Sequence, residues 1–193
     1  MNAALLEWTA AVASLLGVWL MTRRLWLAWP VGLVSVALYA LVFSAARLYS
    51  DTMLQLVFAA VLVYGWANWR AHAGQDGRVV VAPLARRRLL ADVGLGVACG
   101  LALGGAMHTY TDAAMPWLDA LLAMLSLVAQ WWQARRHAAA WVLWIVVDLV
   151  YVGLYLAKSL HVTAGLYLVF VGLAVAGLRA WQASARPSTA PRR

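Results

Sequence analysis

The chain has 193 residues, 65% of them hydrophobic and only 11% charged, and its mean hydropathy is +0.79. Soluble domains carry roughly 25% charged residues, so the composition reads as a polytopic membrane protein and excludes a separate soluble domain. The formal charge of +8 does not read as nucleic-acid binding, because the 15 Lys and Arg residues sit in loops between apolar segments rather than on one surface.

A helix needs about 20 apolar residues to span the hydrocarbon core. Seven segments qualify: A at 4–21, B at 25–46, C at 49–69, D at 89–110, E at 115–134, F at 138–157 and G at 161–181. The fold class expected is therefore all-α, with seven transmembrane helices. Segment A is not expected to be a cleaved signal peptide, since it carries Glu7, lacks a basic lead-in and matches segment E. Between C and D, the stretch 71–88 holds Gly74, Gly77, Pro83 and several charges, which fits an exposed loop. Cys99, the one cysteine, lies inside segment D and has no intrachain disulfide partner. On D, Gly94, Gly96, Gly100, Gly104 and Gly105 form a small-residue face suited to helix–helix contact. That contact is either within the chain or between copies, so a homo-oligomer stays open.

The last third of the sequence repeats the first third at an offset of 112, without gaps. The offset pairs Glu7 with Asp119, Ser14 with Ser126, Trp19 with Trp131, and Arg23–Arg24 with Arg135–Arg136. It also pairs Trp29 with Trp141, Tyr39 with Tyr151, Phe58 with Phe170, Gly65 with Gly177 and Trp69 with Trp181. Two copies of a three-segment unit, A–B–C and E–F–G, joined by D, imply a 3+1+3 arrangement. An odd-numbered unit reverses orientation when copied directly, and one extra helix restores it, so the copies run parallel. The organisation expected is 1–70 for the first repeat, 71–88 for a cytoplasmic loop, 89–112 for the connector helix, 113–182 for the second repeat and 183–193 for a tail. Thirteen of the 15 basic residues fall in loops A–B, C–D, E–F and the tail, and only Arg47 and Lys158 lie opposite. The positive-inside rule then puts the N-terminus outside and the C-terminus in the cytoplasm. Duplicated membrane units of this kind usually build transporters with a site between the halves.

Segment F carries the strongest local signal. Trp141, Trp144, Asp148, Tyr151 and Tyr155 are spaced 3, 4, 3 and 4 and share one helix face. Asp148 lies about 14 Å into F, near the midplane, where a charge is costly and marks a functional site by default. Rings beside a carboxylate suit a flat organic cation. A buried structural carboxyl bonded to a tyrosine is the competing reading for Asp148, and an interfacial aromatic belt is the competing reading for most of the 12 tryptophans. Trp144 is placed to escape the belt, being a turn deeper than Trp141. Segment E adds a stripe of Asp119, Ser126, Gln130 and Gln133, of which Ser126 and Gln130 are deep enough to hydrogen-bond a ligand; interhelical bonding explains them equally well. Segment C contributes Gln55 and Asn68, and segment G Tyr167, the repeat partner of Gln55. On the face of B that matches the F stripe, Gly32 and Val36 stand where F has Trp144 and Asp148. One asymmetric site follows, with charge from the second half and space from the first.

Several chemistries have no signature. There is no phosphate-binding glycine loop, and His72, His108, His137 and His161 have no partner at metal spacing, so neither metal nor cofactor is expected. No nucleophile–base set converges, so the chain is not read as an enzyme. With Asp148 the one intramembrane carboxylate of F, the economical mechanism is uncoupled facilitated diffusion by alternating access.

The stretches WPVGLVSVALYALVFSAARLYSDTMLQLVFAAVLVYGWANW (29–69) and LSLVAQWWQARRHAAAWVLWIVVDLVYVGLYLAKSLHVTAGLYLVF (125–170) resemble the PnuC nicotinamide riboside transporters. The carriers are "LY-D--LQ" followed by "YGW--W", and "LS-VA" followed by "W-LW". The resemblance implies a SWEET-like seven-helix fold in a bacterial inner membrane and uptake of an unphosphorylated pyridine nucleoside. It further implies trapping by a cytoplasmic nucleoside kinase, and a site that includes Gln55, Asn68, Gln130, Trp141, Trp144, Asp148 and Tyr151. Thiamine, also a flat aromatic cation, is the alternative cargo. A receptor or scaffold that binds without moving its ligand is the alternative class.

Overall fold

A computed structural model describes residues 3–45, 49–111, 115–157, 159 and 161–185. Seven helices account for nearly all of them: α1 (Ala3–Thr22), α2 (Ala28–Ala45), α3 (Tyr49–Ala71), α4 (Arg86–Tyr110), α5 (Pro116–Ala134), α6 (Ala139–Ala157) and α7 (His161–Ala185). At 1.5 Å per residue they are about 27–38 Å long, the thickness of a bilayer core or slightly more. Among the described residues, Arg86–Tyr110, Ala139–Ala157 and Thr163–Ala185 are apolar enough throughout to cross a membrane by composition. Glutamines and Asn68 lower the hydropathy of α3 and α5. Arg47, Lys158, Arg186, Arg192 and Arg193, which enter the orientation argument, lie outside the described residues.

The helices close into a ring. Helix α1 packs on α2, α2 on α3, α3 on α5, α5 on α6, α6 on α7 and α7 back on α1, while α4 touches α5 alone. The α4–α5 approach uses the glycine face. A Cβ at Gly96, Gly100 or Gly104 would lie 2.8, 2.9 or 2.9 Å from Val128, Leu121 or Trp117, so only glycine lets the backbones come this near. Gly94 faces open space.

Residues 112 apart repeatedly make the same contacts. Helix α1 ends in a Schellman turn, with Arg24 N–H donating to Met21 O and Leu25 N–H to Leu20 O; α5 ends in another, with Arg136 N–H donating to Gln133 O and His137 N–H to Trp132 O. Both put an arginine, not a glycine, in the left-handed region, at φ 61° and 67°. Arg23 lies over Trp19 and Arg135 over Trp131, at 5.4 and 5.6 Å. Trp29 fits where Gly65 leaves room, and Trp141 where Gly177 does. These two rings meet Trp69 and Trp181 edge-on at 5.3 and 5.7 Å, and Trp69 meets Trp181 at 5.6 Å. The result is a four-ring chain, Trp29–Trp69–Trp181–Trp141, with every member at most 2% exposed. The belt reading fails for these four because they fill the bundle interior; it still fits Trp19, Trp26 and Trp131, which carry arginines on their faces.

Two sequence boundaries shift. Helix α4 starts at Arg86, inside the arginine run, where Arg88 pairs with Asp92 one turn on at 3.3 Å. The segment 72–85 is a strap rather than a free loop. Gly77, at φ 70°, turns the chain so that Ala73 bridges Val79. Val79 is 1% exposed, its N–H bonded to Arg24 O at 3.0 Å, and Ala82 N–H reaches Arg136 O at 2.9 Å. The strap thereby ties both Schellman turns together.

Candidate functional site

Inside the ring lies a cavity of about 360 Å³, within the roughly 300–1,000 Å³ of small-molecule sites. Its lining is built largely from offset pairs. From the first third come Ser14, Val18, Met21, Gly32, Val36, Phe58 and Leu62; opposite them stand Ser126, Gln130, Gln133, Trp144, Asp148, Phe170 and Ala174. The first set is almost wholly apolar and includes the smallest residue, at Gly32. The second set supplies two amides, an indole and a carboxylate. Space thus comes from α1–α3 and polar chemistry from α5–α7.

Helix α6 delivers most of the second set. Its 3- and 4-residue spacing aims Trp141, Trp144, Asp148 and Tyr151 at the cavity together. Asp148 is 7% exposed and, among the described residues, has no hydrogen bond or ion pair. Among the described residues, no Lys, Arg or His lines the cavity. A carboxylate so placed is costly to ionise without a cation near it. Trp144 Nε1 donates to Gln133 Oε1 at 3.1 Å, which fixes the indole plane beside the carboxylate. At the other end of the stripe, Tyr151, Tyr155 and Tyr167 form a triangle of rings with centroids 5.0–5.8 Å apart.

Of the ten residues singled out in the sequence, Ser126, Gln130, Trp141, Trp144, Asp148, Tyr151 and Tyr167 line the cavity. Tyr155 stands behind Tyr151 and Tyr167. Asn68 does not line it; its amide Nδ2 donates to Ala134 O at 2.8 Å and ties α3 to α5. Gln55 is likewise absent from the lining. Trp141 is mostly packing, wedged against Gly177 and Trp181 with one edge on the cavity. Two further contributors line the cavity: Gln133, from the α5 stripe, and Gly32, whose signal in the sequence is being the small partner of Trp144 across the repeat.

The chain matches the nicotinamide mononucleotide transporter family over residues 4–183. It is 24% identical to the nicotinamide riboside transporter PnuC of Escherichia coli K12 over 180 residues, covering 80% of this chain and 75% of that one. It is 29% identical to the riboflavin/roseoflavin transporter RibM of Streptomyces davaonensis over 195 residues, covering 95% and 89%. Among solved structures, it is similar to the crystal structure of the vitamin B3 transporter PnuC, with a TM-score of 0.77 and 28% identity over 94% of this chain and 82% of that one. These relatives are membrane transporters rather than enzymes, and the six-helix ring with its central cavity and flanking α4 is a polytopic membrane fold of the same kind. This chain belongs to the nicotinamide mononucleotide transporter family.

Proposed function

We propose that this protein carries nicotinamide riboside into the cell by facilitated diffusion with alternating access, and that a cytoplasmic nucleoside kinase then traps the cargo by phosphorylation. The observation that carries the reading is Asp148, a buried carboxylate with no partner and no basic group in its cavity among the described residues, set beside the Trp144 indole. Nicotinamide riboside brings a pyridinium cation for the carboxylate and ring, and a carboxamide and ribose hydroxyls for Ser126, Gln130 and Gln133. A phosphorylated nucleotide would meet no cation among the described residues of the lining, which favours the riboside over the mononucleotide. Thiamine meets the same requirement for a flat cation and is the second reading. Riboflavin, carried by one of the relatives, has a neutral ring system and would leave Asp148 unpaired.

In the same reading the ring is two parallel three-helix repeats, α1–α3 and α5–α7, with α4 as linker, in a bacterial inner membrane. The shared contacts at offset 112 and the position of α4 outside the ring support it. The N-terminus lies outside and the C-terminus inside, because the strap gathers Arg24, Arg78 and Arg136 at one end of the bundle.

The test is tryptophan fluorescence of the detergent-purified protein, titrated in parallel with nicotinamide riboside, thiamine and riboflavin, followed by uptake into vesicles. Saturable quenching and uptake of the riboside alone would support the assignment. A response to thiamine alone moves the cargo to thiamine, and riboflavin alone overturns the role given to Asp148.

A further inference from the structure

The two seams that close the ring are held unequally. At the α3–α5 seam, Asn68 Nδ2 donates to Ala134 O at 2.8 Å and Trp69 Nε1 donates to Gln133 O at 3.1 Å. The strap leaving α3 then bonds the turn after α5, Ala82 N–H to Arg136 O at 2.9 Å. At the same end of the α1–α7 seam, Trp181 Nε1 donates to Met21 O at 3.1 Å. It is the offset counterpart of the Trp69 bond. The counterpart of Asn68 is Ala180, which has no side-chain donor.

Both acceptors, Met21 and Gln133, line the inner end of the cavity, and the four-tryptophan chain lies against them. These are the two seams between the halves α1–α3 and α5–α7, so parting the halves at this end opens one of them. The cluster is also incompletely bonded when closed, for the indole N–H groups of Trp29 and Trp141 are buried without acceptors. An interior with unmet donors resists rearrangement less than a fully bonded one.

We infer that the α1–α7 seam is the cytoplasmic exit: α7 swings away from α1 by breaking the Trp181–Met21 bond, while the α3–α5 seam stays joined as the hinge. Trp181 is the latch and Trp69 its fixed counterpart. The assignment rests on the orientation and the alternating-access reading given above. It requires a difference between residues that the repeat makes formally equivalent, and that difference traces to Asn68 against Ala180.

The test uses the full chain in vesicles of known sidedness, with Cys99→Ala and a reporter Ala174→Cys on the cavity wall of α7. A membrane-impermeant thiol reagent is applied from the cytoplasmic face, and the labelling rate is read. Trp181→Phe keeps the ring and removes the donor. Labelling should rise about 2- to 12-fold, the effect of one net hydrogen bond on the opening equilibrium. Trp69→Phe makes the same chemical change on the other seam and should leave the rate within about twofold. Ala180→Asn gives α7 the donor that α3 has, and should slow labelling and uptake while leaving ligand affinity unchanged; it reads the seam without loosening the fold. Equal increases from Trp69→Phe and Trp181→Phe, no increase from Trp181→Phe, or labelling only from the outer face would overturn the assignment. If these rates behave as stated but none of the three vitamins binds, the latch stands and the cargo reading falls.

Discussion

Gly177→Ala probes the link between the repeat and the site with one methyl group. A Cβ at Gly177 would lie 2.6 Å from Trp141, so the ring must retreat by about 0.8 Å to reach the 3.4 Å of ordinary contact. It has little room, being 2% exposed and edge-on to Trp181 at 5.7 Å. Overpacking of this kind costs about 1–3 kcal/mol, while the gain in helix propensity returns up to about 1 kcal/mol. A control lies five residues earlier on the same helix, at Gly172, where nothing stands within 4 Å of an added Cβ. Gly172→Ala should show the propensity gain alone, so the two variants should differ by about 1–3 kcal/mol in unfolding free energy. Reversible unfolding in mixed micelles reads the difference. Because Trp141 also borders the cavity, Gly177→Ala should weaken ligand binding and Gly172→Ala should not. If Gly177→Ala stabilises as much as Gly172→Ala and binds ligand normally, the glycine notch does not set the position of Trp141.

Four further outcomes are expected. Trp144→Ala should lower affinity for a cationic ligand by about 1–2 kcal/mol, roughly 5- to 30-fold, by equilibrium titration; unchanged affinity would return Trp144 to packing. Asp148→Asn should weaken a cationic ligand more than its neutral isostere, and equal losses would make Asp148 structural. Gly100→Leu should push α4 from α5 and destabilise the fold by about 1–3 kcal/mol while ligand affinity holds, since α4 lies outside the ring. Burial holds the His137 imidazole below its usual pKa, with Arg135 and Arg136 adding to the depression and the Ala82 carbonyl and Asp92 opposing it. The folded state therefore favours the neutral ring, and its contribution is complete above about pH 6.5 and declines as pH falls below that value. The protection factors of the strap amides, which divide out the intrinsic pH dependence of exchange, should fall as pH drops below about 6.5, and His137→Gln should flatten that dependence.

The helices and the repeat were legible because apolar length and a gapless offset are properties of the residues alone. So was the α6 face, since helical spacing fixes which side chains align. The strap was not, because its hold on the bundle comes from backbone groups of Val79 and Ala82, and residue type does not show which carbonyl a backbone N–H will find. The interior tryptophans were misread for a related reason: indole suits an interface and a core alike. One signal did separate them, for Trp29 and Trp141 each have a glycine 36 residues on, at Gly65 and Gly177. Asn68 stood out as a polar residue in an apolar segment, but whether an amide faces a ligand or a neighbouring carbonyl depends on the neighbour's position, which only the fold supplies.

The four tryptophans in edge contact have an optical consequence. Indole transitions at centroid separations of 5.3–5.7 Å couple strongly, and the coupling falls with the cube of distance. The chain of rings is therefore expected to give a signed exciton couplet in the intense short-wavelength indole band of the far-ultraviolet circular dichroism spectrum, which isolated indoles lack. Separating Trp181 from Trp69 would divide that chain into two pairs. If α7 swings as inferred above, the couplet is an internal, label-free reporter of that motion, readable in the same sample as transport.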